Sequence, residues 1–222
     1  MLEAKLETKN NKLTALNYIA ILSIFLFSSA GTFMNSAIQT MMDAWPTIAP
    51  STIRLVVSIP PLVSLPVMLV IGKIVGDKIA YRTSAIVGTA LIVFAGVAPY
   101  FFSSNWSIVL LFRALVGVGV GLLAIRNPLI MLSVPLEKQA RYIGFGSVVM
   151  SLGSTIANPL VGALTEYSWR HPFLIDSLAI IPLVFMLFFL KEPAVSTVDI
   201  ETPEEKKSSM ADFTWRTYYY IF

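Results

Sequence analysis

Long stretches without any charged side chain constrain this sequence more than any other feature. The first runs from Leu13 to Met42, and comparable apolar stretches follow it along the chain. A helix that crosses the hydrocarbon core of a bilayer needs about 20 mostly apolar residues. The sequence therefore predicts an integral membrane protein made of helices.

Composition supports this class and excludes others. The 222 residues are 56% hydrophobic and only 13% charged, whereas soluble domains carry about 25% charged residues. The chain has no cysteine and a single histidine, His171, which excludes disulfides and a histidine-cluster metal site. We expect no metal and no cofactor. The net charge is +3, but the cations are scattered between apolar stretches, so we expect no nucleic-acid partner.

The apolar stretches predict six transmembrane helices joined by short polar loops. They cover Leu16–Thr40, Thr52–Ile74, Ser84–Phe102, Trp106–Ile130, Ile143–Leu164 and Pro172–Leu190. Most Lys and Arg residues fall on one side of this arrangement, so the positive-inside rule places both termini in the cytoplasm. The chain then divides into a cytoplasmic segment 1–12, a membrane bundle 13–190 and a cytoplasmic linker 191–222.

Two predicted helices carry a row of uncharged polar residues. The rows are Ser28, Thr32, Asn35 and Gln39 in helix 1, and Ser147, Ser151, Ser154 and Asn158 in helix 5. Each row follows the spacing i, i+4, i+7 and i+11, which places side chains on one helix face. Such a face either hydrogen-bonds neighbouring helices or lines a cavity. For the cavity, we predict a lining from the helix 1 row, Asn158 and Arg126. Arg126 has three alternatives: a contact with Asp77, an anionic substrate, or a structural role.

Helix 4 places a charge and two glycines on one face. Arg113, Gly117 and Gly121 follow each other at i, i+4 and i+8, and the glycine spacing lets two helix backbones approach closely. An intramembrane arginine is costly unless paired. We predict Asp43 or Asp176 as its partner; the alternative is a snorkelling arginine. Asp176 is either a protonatable coupling group or a residue seeking the outer surface.

The distribution of polarity also suggests an internal repeat. Helices 1 and 4 carry polar or glycine stripes inside the membrane, while helices 3 and 6 are mostly apolar. A three-plus-three arrangement of opposite topology is typical of inverted-repeat transporters.

Four stretches resemble motifs of one known family. The loop Gly72–Thr83 resembles the loop between the second and third helices of the major facilitator superfamily, with Asp77, Lys78 and Arg82 at matching positions and Gly72 near the first glycine. The other three are Arg113–Gly121 in helix 4, Pro159–Gly162 in helix 5 and Trp169–Ile175 at the start of helix 6. The helix 5 stretch is similar to an element of that family's drug/proton antiporters.

The resemblance implies a fold, a function and partners. It implies an all-α transporter of two six-helix bundles in the plasma membrane, with this chain as the N-terminal bundle. The expected activity is proton-coupled export of small organic molecules by alternating access. The expected partners are the substrate, protons, the lipid bilayer, and the C-terminal half of the transporter or a second copy of the chain.

The resemblance also assigns roles to individual residues. Arg113 is implied to act in proton coupling, and Pro159 and Gly162 to shape a bend in helix 5. A cytoplasmic latch against the other bundle is implied for Gly72, Asp77, Lys78 and Arg82.

Two other classes of function compete with transport. One is a non-transporting membrane scaffold or a truncated product. The other is an intramembrane protease, which needs a histidine beside its serine within the membrane. His171 is the only histidine and falls in a predicted outer loop, which disfavours the protease.

Overall fold

The structure is a computed structural model that describes residues 15–193, and it is built from helices. Within these residues, five helices are long and apolar enough to cross a membrane, and a bent pair makes a sixth span. We number the spans α1 to α6. They are Ala15–Leu26 with Ala30–Ala44 (α1), Pro50–Ile74 (α2), Tyr81–Phe101 (α3), Trp106–Ser133 (α4), Leu136–Thr165 (α5) and His171–Phe189 (α6).

The predicted all-α, six-span fold is confirmed. The predicted segment 1–12 and all but the first three residues of the predicted linker 191–222 lie outside the described residues. The backbone N–H of Lys191 donates to Oδ1 of Asn17 at 3.0 Å. The end of α6 therefore lies beside the beginning of α1, and both ends of the described chain are on the same side of the bundle.

The helix packing follows the predicted three-plus-three arrangement. Span α2 packs on α4 of the other half, just as α5 packs on α1. Likewise α3 packs on α4, just as α6 packs on α1. The two mostly apolar spans, α3 and α6, also pack on each other. Exchanging the two halves therefore reproduces most of the neighbour relations.

The prediction of one continuous helix over Leu16–Thr40 is wrong. The two pieces of α1 meet at 45°, and Ala30–Ala37 is a 3₁₀ helix. Near the break, the Ser28 hydroxyl donates to the Ile24 carbonyl at 2.8 Å. Hydroxyl-to-carbonyl bonds of this kind bend helices. The polar row is divided as a result, because Ser28 is buried while Thr32, Asn35 and Gln39 are exposed.

Glycines on α4 allow close contact with α2. A Cβ added at Gly117 would lie 2.5 Å from the carbonyl oxygen of Pro60, and one at Gly121 would lie 2.6 Å from Cβ of Val67. These distances leave no room for a larger residue on either side. The prolines of α2 do not interrupt it, because Pro50–Ile74 is one helix.

Three tryptophans join the loops at the end of the bundle opposite the chain ends. Trp45 follows α1, Trp106 begins α4, and Trp169 precedes α6. Their ring centroids lie 5.9 Å (Trp45–Trp106), 5.6 Å (Trp45–Trp169) and 6.4 Å (Trp106–Trp169) apart. Aromatic pairs at such distances add stability beyond the area they bury, so this cluster fixes the three loops relative to one another.

Candidate functional site

A buried ion pair lies inside the bundle. Nη1 of Arg113 on α4 lies 3.4 Å from Oδ2 of Asp176 on α6, and neither side chain has any exposed surface. The snorkelling alternative for Arg113 and the surface-seeking alternative for Asp176 are therefore wrong. Among the described residues this is the only ion pair.

Backbone carbonyls complete the surroundings of Arg113. Its Nε donates to the Val56 carbonyl of α2 at 3.0 Å, and its Nη2 donates to the Gly31 carbonyl of α1 at 2.7 Å. Nη2 also lies 3.4 Å from the Ala30 carbonyl. The guanidinium thereby binds three spans in addition to its own, counting the Asp176 contact on α6.

The Val56 carbonyl is available to Arg113 because of a proline in α2. Pro60 has no N–H, so the Val56 carbonyl four residues earlier loses its helical donor. The Gly31 carbonyl lies in the 3₁₀ segment that follows the break in α1. An intramembrane carbonyl freed as that of Val56 is needs another donor, and Arg113 supplies it.

Gly96 of α3 makes room for the carboxyl group of Asp176. A Cβ added at Gly96 would overlap both Cβ and Oδ2 of Asp176. The other carboxylate oxygen, Oδ1, is buried and has no hydrogen-bond partner among the described residues. Sequence reasoning did not single out Gly96, because no pattern in α3 shows that a carboxyl group of α6 packs there.

Asp43, the other predicted partner of Arg113, is not part of this centre. It is exposed near the end of α1, where its Oδ1 accepts a hydrogen bond from Nε2 of Gln39 at 2.9 Å. The prediction of Asp43 as the partner of Arg113 is wrong, because Arg113 pairs with Asp176 instead.

Part of the predicted substrate cavity forms one exposed polar face. Thr32, Asn35 and Gln39 of α1 are exposed, and Ser36 beside them donates to the Asn158 carbonyl of α5 at 3.1 Å. We call the α1 residues Thr32, Asn35, Ser36 and Gln39 the polar face. Ser28 is not part of it, because it is buried and bonded to its own helix.

Pro159 lies inside the continuous helix α5. At Gly162, an added Cβ would lie 3.9 Å from Cβ of Ser36, which is ordinary contact. Close packing therefore does not require glycine at position 162, in contrast to Gly117 and Gly121.

Arg126 follows a short 3₁₀ interruption of α4 at Leu123–Ile125. It is partly buried, and its guanidinium carbon lies 5.7 Å from the ring centroid of Phe25 on α1. Within residues 15–193 it has no carboxylate partner, so the structure does not bring it to Asp77.

The predicted latch loop is a tight turn after α2. Gly76 adopts a positive φ of 89°, a conformation that favours glycine. Asp77 and Lys78 are exposed in this turn. Gly72 lies in the last turn of α2, which ends at Ile74 as predicted.

Arg82 and Glu192 tie this loop to the end of α6. The Glu192 carboxylate accepts from the backbone N–H groups of Tyr81 and Arg82, each at 2.7 Å. In return, Nη2 of Arg82 donates to the Leu187 carbonyl at 2.6 Å. A carboxylate at a helix N-terminus satisfies free N–H groups and complements the helix dipole. Glu192 was not predicted, because nothing in its local sequence indicates α3 as its neighbour.

These features define a multi-pass α-helical membrane protein with a charged centre inside its bundle. A family model described as Major Facilitator Superfamily matches residues 19–221. The chain therefore belongs to the Major Facilitator Superfamily, and its spans resemble the N-terminal half of that fold. No curated protein matches the sequence. The family consists of transporters rather than enzymes, so the protein is a membrane transporter.

Proposed function

We propose that the protein is a proton-coupled secondary transporter that exports small organic molecules across the plasma membrane by alternating access. The observation that carries this proposal is the buried pair of Arg113 and Asp176. Removing two charges from water costs several kcal/mol per ion, and charged groups inside a membrane bundle commonly mark ion or substrate pathways. Proton binding at Asp176 would remove the negative charge that balances Arg113.

The contacts of Arg113 supply a route from proton binding to movement. Its guanidinium holds carbonyls at the break in α1 and at Pro60 of α2. A change in charge at Asp176 changes how strongly the guanidinium is drawn toward α6 and away from these carbonyls. The break in α1 leads directly into the polar face, so a proton at Asp176 would alter the face that contacts substrate.

We assign substrate contact to the polar face, with Arg126 at its inner end. A transport cavity needs a second wall, and the structure leaves two spans with broad exposed faces. In the apolar stretches of α2 and α5, only 22% and 17% of the residues are buried inside the bundle, against 50% in α3. We propose that these faces meet the C-terminal half of the transporter or a second copy, within a membrane domain of residues 13–190. Such bundles rock against each other around a shared site.

Asp77, Lys78 and Arg82 would form the cytoplasmic latch, with both chain termini on the cytoplasmic side. Arg82 and Glu192 fix the loop to the bundle, and the exposed Asp77 stays available to a helix N-terminus of the other bundle.

Reconstitution of the complete transporter, with the C-terminal half or the second copy present, into proteoliposomes with an internal pH dye tests this function. A series of neutral, anionic and cationic organic compounds would be added in turn, and proton movement recorded after each addition. We expect at least one compound to move protons in vesicles that contain the protein and in none that contain Asp176→Asn. Substrate flux without proton movement would refute the coupling, and absence of any flux would favour the non-transporting scaffold.

A further inference from the structure

We propose that Arg126 is an anion-binding subsite, so that the exported molecule is an organic anion with a carboxylate or phosphate-type group. This inference rests on the proposed transport function and adds the chemical class of the substrate. It starts from the difference between two arginines of α4. Arg113 is fully buried and has four acceptors, whereas Arg126 is partly buried and has no acceptor among the described residues.

An arginine at this position needs a counter-charge. Arg126 lies seven residues before the end of α4 at Ser133, about 10 Å along the helix axis at 1.5 Å per residue. Charged side chains at such depth pair with another charge or line a water-filled cavity. Because the described part of the chain offers Arg126 no carboxylate, an anion from outside the bundle is the natural partner.

Among residues 15–193, the carboxylates at the end of the bundle where α4 ends are few and are outnumbered by cations. Asp77 is in the turn after α2, Glu137 is exposed at the start of α5, and Glu192 is bound to the backbone of α3. Asp43 belongs to the opposite end, and Asp176 is buried with Arg113. The described cations at this end are Lys73, Lys78, Arg82, Lys138, Arg141 and Lys191. A mouth lined mainly by one sign of charge raises the local concentration of the opposite ion.

The contact with Phe25 leaves the donors of Arg126 free for such an ion. An aromatic ring interacts with the face of a guanidinium, while the N–H donors at its edge can bind two oxygens of a carboxylate or phosphate. The ring itself is fixed by α5, because a Cβ added at Gly146 would lie 2.6 Å from Cε1 of Phe25. Phe25 thereby holds the guanidinium without neutralising it.

Thermal unfolding of the purified protein in detergent tests the inference with three matched probes: benzoate, neutral benzamide and cationic benzylammonium. We expect benzoate alone to raise Tm in a concentration-dependent manner, as any ligand specific for the folded state does. Arg126→Gln should weaken benzoate binding roughly tenfold or more, since a charge-assisted bond is lost, and Arg126→Lys should retain part of it. The matched control is Arg170→Gln, because Arg170 lies over Trp169 at 5.3 Å in a comparable cation–π pair at the opposite end of the bundle and should leave the benzoate shift intact.

Several results would overturn the inference. They are a larger shift with benzylammonium than with benzoate, no benzoate shift in the wild-type protein, or an equal benzoate shift in Arg126→Gln.

Micelles doped with phosphatidylglycerol distinguish the other source of an anionic group. An Arg126-dependent shift with this lipid and none with benzoate would make Arg126 a lipid-binding residue and overturn the substrate assignment. Flux of neutral or cationic compounds that does not depend on Arg126 would support the proposed transport function and refute the assignment of an anionic substrate. Arg126-dependent benzoate binding without any flux would support the anion-binding site and refute the proposed transport function.

Discussion

The carboxyl group of Asp176 fills the space that a side chain at Gly96 would occupy. The smallest possible side chain at position 96 is therefore expected to displace Asp176 from Arg113. Adding a methyl group to a well-packed site typically costs about 1–3 kcal/mol, and here the displaced group is half of an ion pair. We predict that Gly96→Ala lowers Tm in detergent and abolishes proton-driven transport.

Gly72→Ala is the matched control for that substitution. No atom lies within 4 Å of a Cβ added at Gly72, and this residue is in the last turn of helix α2. Alanine in a helix is favoured over glycine by about 1 kcal/mol, so Tm should be unchanged or slightly higher. Wild-type transport by Gly96→Ala would show that Asp176 does not need its present position.

Pro60 determines which group binds the Val56 carbonyl. Alanine at position 60 supplies an N–H four residues after Val56, and this donor competes with Nε of Arg113 for the same oxygen. We predict that Pro60→Ala keeps the helix content measured by circular dichroism and lowers proton-driven transport. The control is Pro66→Ala, because Pro66 is exposed and the carbonyl it frees, that of Leu62, is not bonded to Arg113. Equal transport by the two variants would contradict the assigned role of the Val56 carbonyl.

Glu192 is expected to stabilise the bundle rather than to act in transport. Its carboxylate binds two N–H groups at the start of α3, and losing such a cap costs about 0.5–2 kcal/mol. Glu192→Ala should lower Tm, and Glu192→Asp should recover part of the loss if the shorter carboxylate still reaches α3. The test is thermal unfolding at two salt concentrations, since the dipole contribution is screened by salt. An unchanged Tm would show that the two bonds contribute nothing to stability.

Asp77 is expected to act in transport rather than to stabilise the bundle. It is exposed in the turn after α2, so Asp77→Asn is expected to leave Tm and membrane insertion unchanged and to lower turnover in the complete transporter. Substrate flux would be measured at equal expression, beside Lys78→Gln and Arg82→Gln. Normal flux in Asp77→Asn would remove this residue from the latch.

The spans and the charged centre were predictable because each is indicated by a local feature of the sequence. An apolar stretch of sufficient length predicts a span, and a charge inside it predicts a partner, which points to Arg113 and Asp176. The break in α1 was not predictable, since serine and threonine residues are compatible with a straight helix. Gly96 and Glu192 act on spans distant in sequence, and the sequence alone did not decide between Asp43 and Asp176 as the partner of Arg113.

The central claim is that Arg113 and Asp176 act together as the proton-coupling pair. Proteoliposomes that contain the wild type, Arg113→Gln, Asp176→Asn and the double variant would be compared in two assays. One is accumulation of substrate driven by a pH gradient, and the other is exchange of labelled for unlabelled substrate without a gradient. Removing one partner of a buried pair costs about 3–5 kcal/mol of stability, so folded protein must first be quantified. We predict that all three variants lose accumulation and retain exchange, and that the double variant is no worse than either single one. Full accumulation by folded Asp176→Asn would contradict the claim.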